Sequence, residues 1–132
     1  GALTPCHSFF HFTVGDKNKE TGKSTLNLML VQASSDAPVG LHYNILEYTA
    51  LLYVFASLLD MTPNNLTINL GDVHIYTNQV DLVKEQLKRT PLEQTATLKS
   101  LGDHRDPFDF KFEDFSLENY DPHPHIKGAV AI

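Results

Sequence analysis

Residues 41–59 read LHYNILEYTALLYVFASLL, and how this stretch folds decides the rest of the chain. Apolar side chains fall on nearly every side of a helical wheel, so the expectation is a helix buried on most sides. A membrane span fails on length: the apolar run 45–59 carries Glu47 and falls short of the roughly 20 residues that cross a bilayer.

Upstream of the helix, LVQASSDAPVG (30–40) sets a polar cluster between an apolar run and a Pro38/Gly40 break, the composition of a ligand-facing turn. Before it, SFFHFTV (8–14) and TLNLMLV (25–31) read as two strands, joined by GDKNKETGKS (15–24), an exposed hairpin loop. Downstream, TINLGDVHIY (67–76) reads as a strand broken at Gly71, where a bulge or a close backbone approach is expected. Thr77 or Asn78 is expected to cap a helix over VDLVKEQLKR (80–89), with Val80, Val83 and Leu87 on one face and an end before Pro91. Residues 110–115 and 117–120 read as further strand, ahead of a DPHPHIKGAVAI tail. This mixed order predicts an α+β fold with one large mixed sheet and a long buried central helix, and it contains no internal repeat.

The 132 residues, 42% of them hydrophobic, suffice for one domain over 1–132 with a real core. Ten basic against 16 acidic residues give a net charge of −6, which offers no electrostatic footprint for nucleic acid. One cysteine makes no internal disulfide and no leader-like segment opens the chain, so the expected compartment is reducing and cytoplasmic, with no membrane contact. The chain opens at Gly1 rather than methionine, and a processed or partial chain is therefore expected.

Cys6 stands between Pro5 and His7. Taken alone it is either a nucleophile or, more commonly, a small buried hydrophobe. Neighbours on a strand point to opposite faces, so His7 is a poor base for it. The histidines at 7, 11, 42, 74, 104, 123 and 125 share no metal spacing with Cys6, and no metal site is expected. Neither a glycine-rich phosphate loop nor a GxSxG elbow occurs.

Seven motifs in one order say more: ALTPCHSFFHF (2–12), QASSD (32–36), GLHYNILEYTALLY (40–53), GDVHIYTNQ (71–79), KEQLKRTP (84–91), FEDF (112–115) and YDPHPHIKGAVAI (120–132). Together they resemble the C-terminal half of thymidylate synthase over nearly the whole chain, with an apparent insertion at 15–25. The resemblance implies a synthase-like fold without its N-terminal portion. It also implies methylation of dUMP to dTMP, with 5,10-methylenetetrahydrofolate as co-substrate and no metal. Cys6 then matches the nucleophile, a role that requires a thiolate. Asn44 matches the amide that reads the O4 and N3 edge of uracil, where a cytidylate hydroxymethylase is expected to carry a carboxylate.

By the same resemblance, His74 and Tyr76 hold the deoxyribose hydroxyl, and their i, i+2 spacing places them on one strand face. Gln32 and Ser34 belong to the nucleotide site, Ser34 at the phosphate. Asp36 orients the pterin, and Gly40 and Ala131 complete the folate side, the tail 131–132 closing over it.

The chain departs from the family pattern where that pattern reads Gln-Arg-Ser, because Ala33 replaces the arginine that grips phosphate and lies near the nucleophile. Ala37-Pro38-Val39-Gly40 replaces the usual FLG region, and His11 and Gln79 stand where glutamine and histidine are usual. Nucleotide binding is expected to weaken. The family's N-terminal half supplies a glutamate, a tryptophan and further phosphate arginines, so a complementing N-terminal chain and a homodimer mate are the expected partners beside dUMP and folate. A pyrimidine nucleotide hydroxymethylase and a non-catalytic interaction module derived from the synthase are the alternative readings.

Overall fold

The computed structural model describes residues 5–93, 96–100 and 102–128. Five strands and two helices follow in order: β1 (His7–Lys17), β2 (Ser24–Asp36), α1 (Leu41–Leu58), β3 (Thr62–His74), α2 (Val80–Leu87), β4 (Thr97–Ser100) and β5 (Phe115–Glu118). The class is α+β, as expected. In place of one large sheet there are two, a three-stranded sheet in the order β1-β2-β3 and a two-stranded sheet of β4 and β5.

The larger sheet is mixed. β1 runs antiparallel to β2 through a hairpin whose loop is turned by the Asn18 side chain, which accepts from the Glu20 and Thr21 N–H groups at 2.9 Å each. β3 runs parallel to β2. Parallel neighbours need a crossover, and α1 provides it. Both ends of α1 are set locally: Gly40 N donates to Asp36 O at 2.9 Å ahead of its first turn. At the other end Asp60 adopts φ 53°, a left-handed position that aspartate tolerates, while Met61 N reaches Ala56 O at 2.8 Å.

The core follows from strand alternation. Leu26, Leu28 and Leu30 of β2 point to one face and pack against Tyr48, Leu52 and Ala56 of α1, with Phe12, Leu66 and Ile68 from the flanking strands beside them. Burying each leucine contributes on the order of 1.5–3 kcal/mol. α1 is not buried on most sides as expected: it buries Tyr48, Leu52, Val54 and Ala56, while Tyr43, Ile45 and Leu46 of its first two turns are exposed, because it packs on the sheet along one seam only. On the opposite sheet face Ala33 and Thr67 are exposed and Phe9 is about half exposed.

β3 runs unbroken through Gly71, so of the two expectations there the close approach is the one realised. A Cβ at Gly71 would sit 2.7 Å from the Ala33 carbonyl oxygen on β2. Gly71→Ala is expected to lower stability by about 1–2 kcal/mol through this backbone clash. Thermal unfolding reads the effect, and an unchanged melting temperature would mean that the strands separate freely here.

Three local expectations are corrected. Thr77 and Asn78 do not cap α2; they form a 3-10 turn with Gln79, and Gln79 occupies the cap position without a side-chain cap bond. α2 ends at Leu87, two residues earlier than expected though still before Pro91, and Leu87 is exposed. Residues 110–115 hold a 3-10 turn at Phe112–Asp114 rather than strand, because the Asp114 carboxylate accepts from Lys111 N at 2.7 Å. Such side-chain-to-backbone bonds compete with strand pairing.

Candidate functional site

The parallel strands β2 and β3 end side by side, with Asp36 in register with His74. Loops at the carboxyl ends of parallel strands are the usual place for a ligand in α/β architecture, since the crossover leaves a crevice there. A cavity of about 260 Å³ lies at this point, lined by Cys6, His7, Gln32, Ser34, Asp36, Gly40, Asn44, His74 and Tyr76. Every site residue expected from sequence and lying among the described residues is on its wall. Ala131 lies outside the described residues. A larger cavity, about 440 Å³ lined by Leu92, Glu93, Ala96 and residues 119–123, contains none of them and no nucleophilic thiol among the described residues.

Alternation on β2 brings Gln32, Ser34 and Asp36 to the same side. Gln32 is only 2% exposed; its Nε2 donates to Ser34 O at 2.9 Å and to Asn44 Oδ1 at 3.0 Å. The Asn44 acceptor is thereby engaged from behind, which leaves its NH2 edge to a ligand. Gln32 Oε1 is buried without a hydrogen-bond partner, a polar atom at the cavity wall that a bound donor would satisfy.

Asp36 is held by two donors: Val39 N reaches Oδ1 at 3.1 Å and Gln79 Nε2 reaches Oδ2 at 3.0 Å. A carboxylate offers about four lone-pair directions, so Asp36 keeps capacity for a further donor. Gly40 packs tightly beneath it, where a Cβ would stand 3.3 Å from Asp36 O. The rings of His74 and Tyr76 meet edge to face at 4.9 Å, and His74 Nδ1 lies 3.5 Å from Asp72 Oδ2.

Cys6 is exposed, and its carbonyl oxygen accepts from Ala33 N at 2.7 Å, which fixes the start of β1 against β2. The His7 ring is turned to Tyr48, with Nδ1 3.1 Å from the Tyr48 hydroxyl and the rings 5.2 Å apart. Burial, aided by the neighbouring Glu47, raises the Tyr48 hydroxyl above its ordinary value of 10.0, so it stays protonated near neutral pH. His7 nevertheless lines the cavity beside Cys6. Cys6 precedes β1, which begins at His7, so strand alternation does not govern this pair.

Ala33 is exposed and sits between two cavity residues without lining the cavity itself. No lysine or arginine is among the described residues of the cavity wall. Beyond the cavity the tail is strapped to the end of α2, Arg89 Nη1 donating to Pro124 O and His123 Nε2 lying 2.8 Å from Thr90 O. It then passes Val39, where a Cβ at Gly128 would fall 2.6 Å from Leu82 Cδ1 and 3.2 Å from Val39 Cγ2. The wall thus combines a thiol, a directed amide, a His/Tyr pair and a braced carboxylate, a set suited to adding a nucleophile to a polar ring held by its edge. Compared with known families, the chain matches the model described as thymidylate synthase over residues 1–132.

Proposed function

Because this chain belongs to the thymidylate synthase family, whose members are methyltransferases of nucleotide biosynthesis, we propose that it forms the nucleophile-bearing part of an enzyme that converts dUMP to dTMP. The observation that carries this reading is the single cavity shared by Cys6, Gln32, Ser34, Asp36, Asn44, His74 and Tyr76. Residues drawn from four separate motifs line one space there.

In this reading the Cys6 thiolate adds to C6 of the uracil ring. The S–C6 bond forms as the C5–C6 π electrons move toward C5 and O4, and the Asn44 NH2 donates to O4 where that charge collects. Gln32 holds Asn44 in this sense by engaging its Oδ1. His74 and Tyr76 hold the sugar hydroxyl, and Ser34 lies toward the phosphate.

5,10-Methylenetetrahydrofolate, the family's co-substrate, supplies the one-carbon unit and a hydride when bound. Its pterin suits the donor set on this side: Asp36 is an anionic acceptor braced by Val39 and Gln79, with lone pairs to spare for ring N–H groups. Gly40 lies under it and the tail passes beside Val39. Elimination of the Cys6 thiolate, with loss of the C5 proton to a base, restores the ring. A complementing N-terminal chain supplies that base, and a homodimer mate completes the phosphate grip.

Asn44→Asp tests the substrate edge. A carboxylate cannot donate to O4 of uracil but accepts from the amino group of cytosine. Affinity for dUMP is expected to fall about 10-fold, the cost of one edge-reading hydrogen bond, while that for dCMP rises. Gln32 Nε2 still has an acceptor to meet, so the fold should stand. Calorimetric titration with the two nucleotides reads the switch, and an unchanged preference would remove Asn44 from the uracil edge.

A further inference from the structure

The chain's departures from its family pattern include Gln79, which no proposed step yet uses. It is fully buried at 0% exposure although it is polar and stands between a short 3-10 turn and α2. Burying an amide costs free energy unless both its ends are met. Here Nε2 donates to Asp36 Oδ2 at 3.0 Å, and Oε1 accepts from Tyr76 N at 3.2 Å. Asp36 and Tyr76 are 40 residues apart in sequence and both line the cavity; in the proposed chemistry one serves the pterin and the other the sugar. A third tie reinforces the pair, since Ala37 N donates to His74 O at 3.1 Å.

We propose that Gln79 is a positioning residue that couples the folate side of the cavity to its nucleotide side, by holding the Asp36 carboxylate and the Tyr76 backbone in one buried bridge. The inference rests on the dUMP and folate reading given above. Its physical basis is that one planar amide fixes two groups at once. Any displacement of Asp36 on meeting a pterin is passed to Tyr76, and a sugar seated on Tyr76 presets Asp36. A neutral amide provides both the donor and the acceptor at every working pH.

Two variants separate the ends of the bridge. Gln79→Glu keeps the acceptor for Tyr76 N and nearly the same volume but sets a carboxylate against Asp36. Gln79→Leu removes both bonds. Titration with dUMP, and with a pterin-bearing folate analogue in the presence of saturating dUMP, is expected to give two patterns. In Gln79→Glu the analogue weakens about 10-fold or more while dUMP stays within about threefold. In Gln79→Leu both ligands weaken, and amide exchange at Tyr76 becomes faster.

A double variant adds a readout that a purely structural role would not move. In an Asp36→Asn background, Gln79→Glu should cost no further analogue affinity, because the group it acts through is already altered. If both variants melt at lower temperature yet hold both ligands at wild-type affinity, Gln79 is only a core residue and the proposal falls. If the unaltered protein itself fails to bind dUMP, the reading of the cavity falls first and the bridge's role with it. The control titration distinguishes these two failures.

Discussion

Replacing Cys6 by serine should abolish covalent capture of 5-fluoro-dUMP and lower any dTMP formation by at least roughly 1,000-fold, with little change in melting temperature. The chemistry sets the size of the effect: a serine hydroxyl is almost wholly protonated near neutral pH and a poor nucleophile toward a ring carbon, whereas a thiolate is a strong one. Structure sets the second half of the prediction. Cys6 is exposed, and its tie to β2 runs through its carbonyl oxygen to Ala33 N rather than through the thiol. Exposed substitutions of this kind usually cost no more than about half a kcal/mol. Denaturing mass spectrometry of the nucleotide-treated protein measures capture, and scanning calorimetry measures the fold. Adduct formation by Cys6→Ser would place the nucleophile elsewhere.

The second large effect is a gain. Ala33→Arg should tighten dUMP about 10- to 100-fold, since a bidentate guanidinium–phosphate pair contributes roughly 1.5–3 kcal/mol. Ala33 is exposed on the sheet face opposite Gln32 and Ser34, so only a side chain as long and flexible as arginine's can reach round the strand to a phosphate beside those two cavity residues. No cation among the described residues of the wall competes for the phosphate. Deoxyuridine, which lacks the phosphate, should show no gain, and the dUMP gain should shrink as salt is raised. An equal gain for nucleoside and nucleotide would show that position 33 does not address the phosphate.

Much of the fold was legible because its largest signals are local. The apolar runs of β1, β2 and α1 mark themselves, and α1 starts at Leu41 as expected and ends one residue before Leu59. The first residues of β3, Thr62 to Leu66, were not legible, because proline and asparagine are depleted in strands. They form strand because Leu66 pairs with Leu28 in the core and Pro63 with Leu26. β3 lies at the sheet edge, where a proline's missing N–H can be tolerated. β4, TLKS, is four residues long and gains its strand form from Leu98 lying opposite Leu117.

The site divides in the same way. Motif order picked out Cys6, Gln32, Ser34, Asp36, Gly40, Asn44, His74 and Tyr76, all of which line the cavity. His7 was set aside as a base for Cys6; it lines the cavity, with its ring turned to the Tyr48 hydroxyl. Gln79 read only as a departure from the family pattern, because its bond to Asp36 spans 43 residues and follows from tertiary structure alone.

The most direct test of the central claim, that this cavity binds dUMP for attack by Cys6, is intact mass of the purified protein after incubation with 5-fluoro-dUMP and 5,10-methylenetetrahydrofolate. It should be recorded under both denaturing and native conditions. The expected result is a covalent adduct that maps to Cys6, with a companion chain in the native spectrum. An unmodified chain of 14.8 kDa with no companion would contradict the account and leave a synthase-derived interaction module.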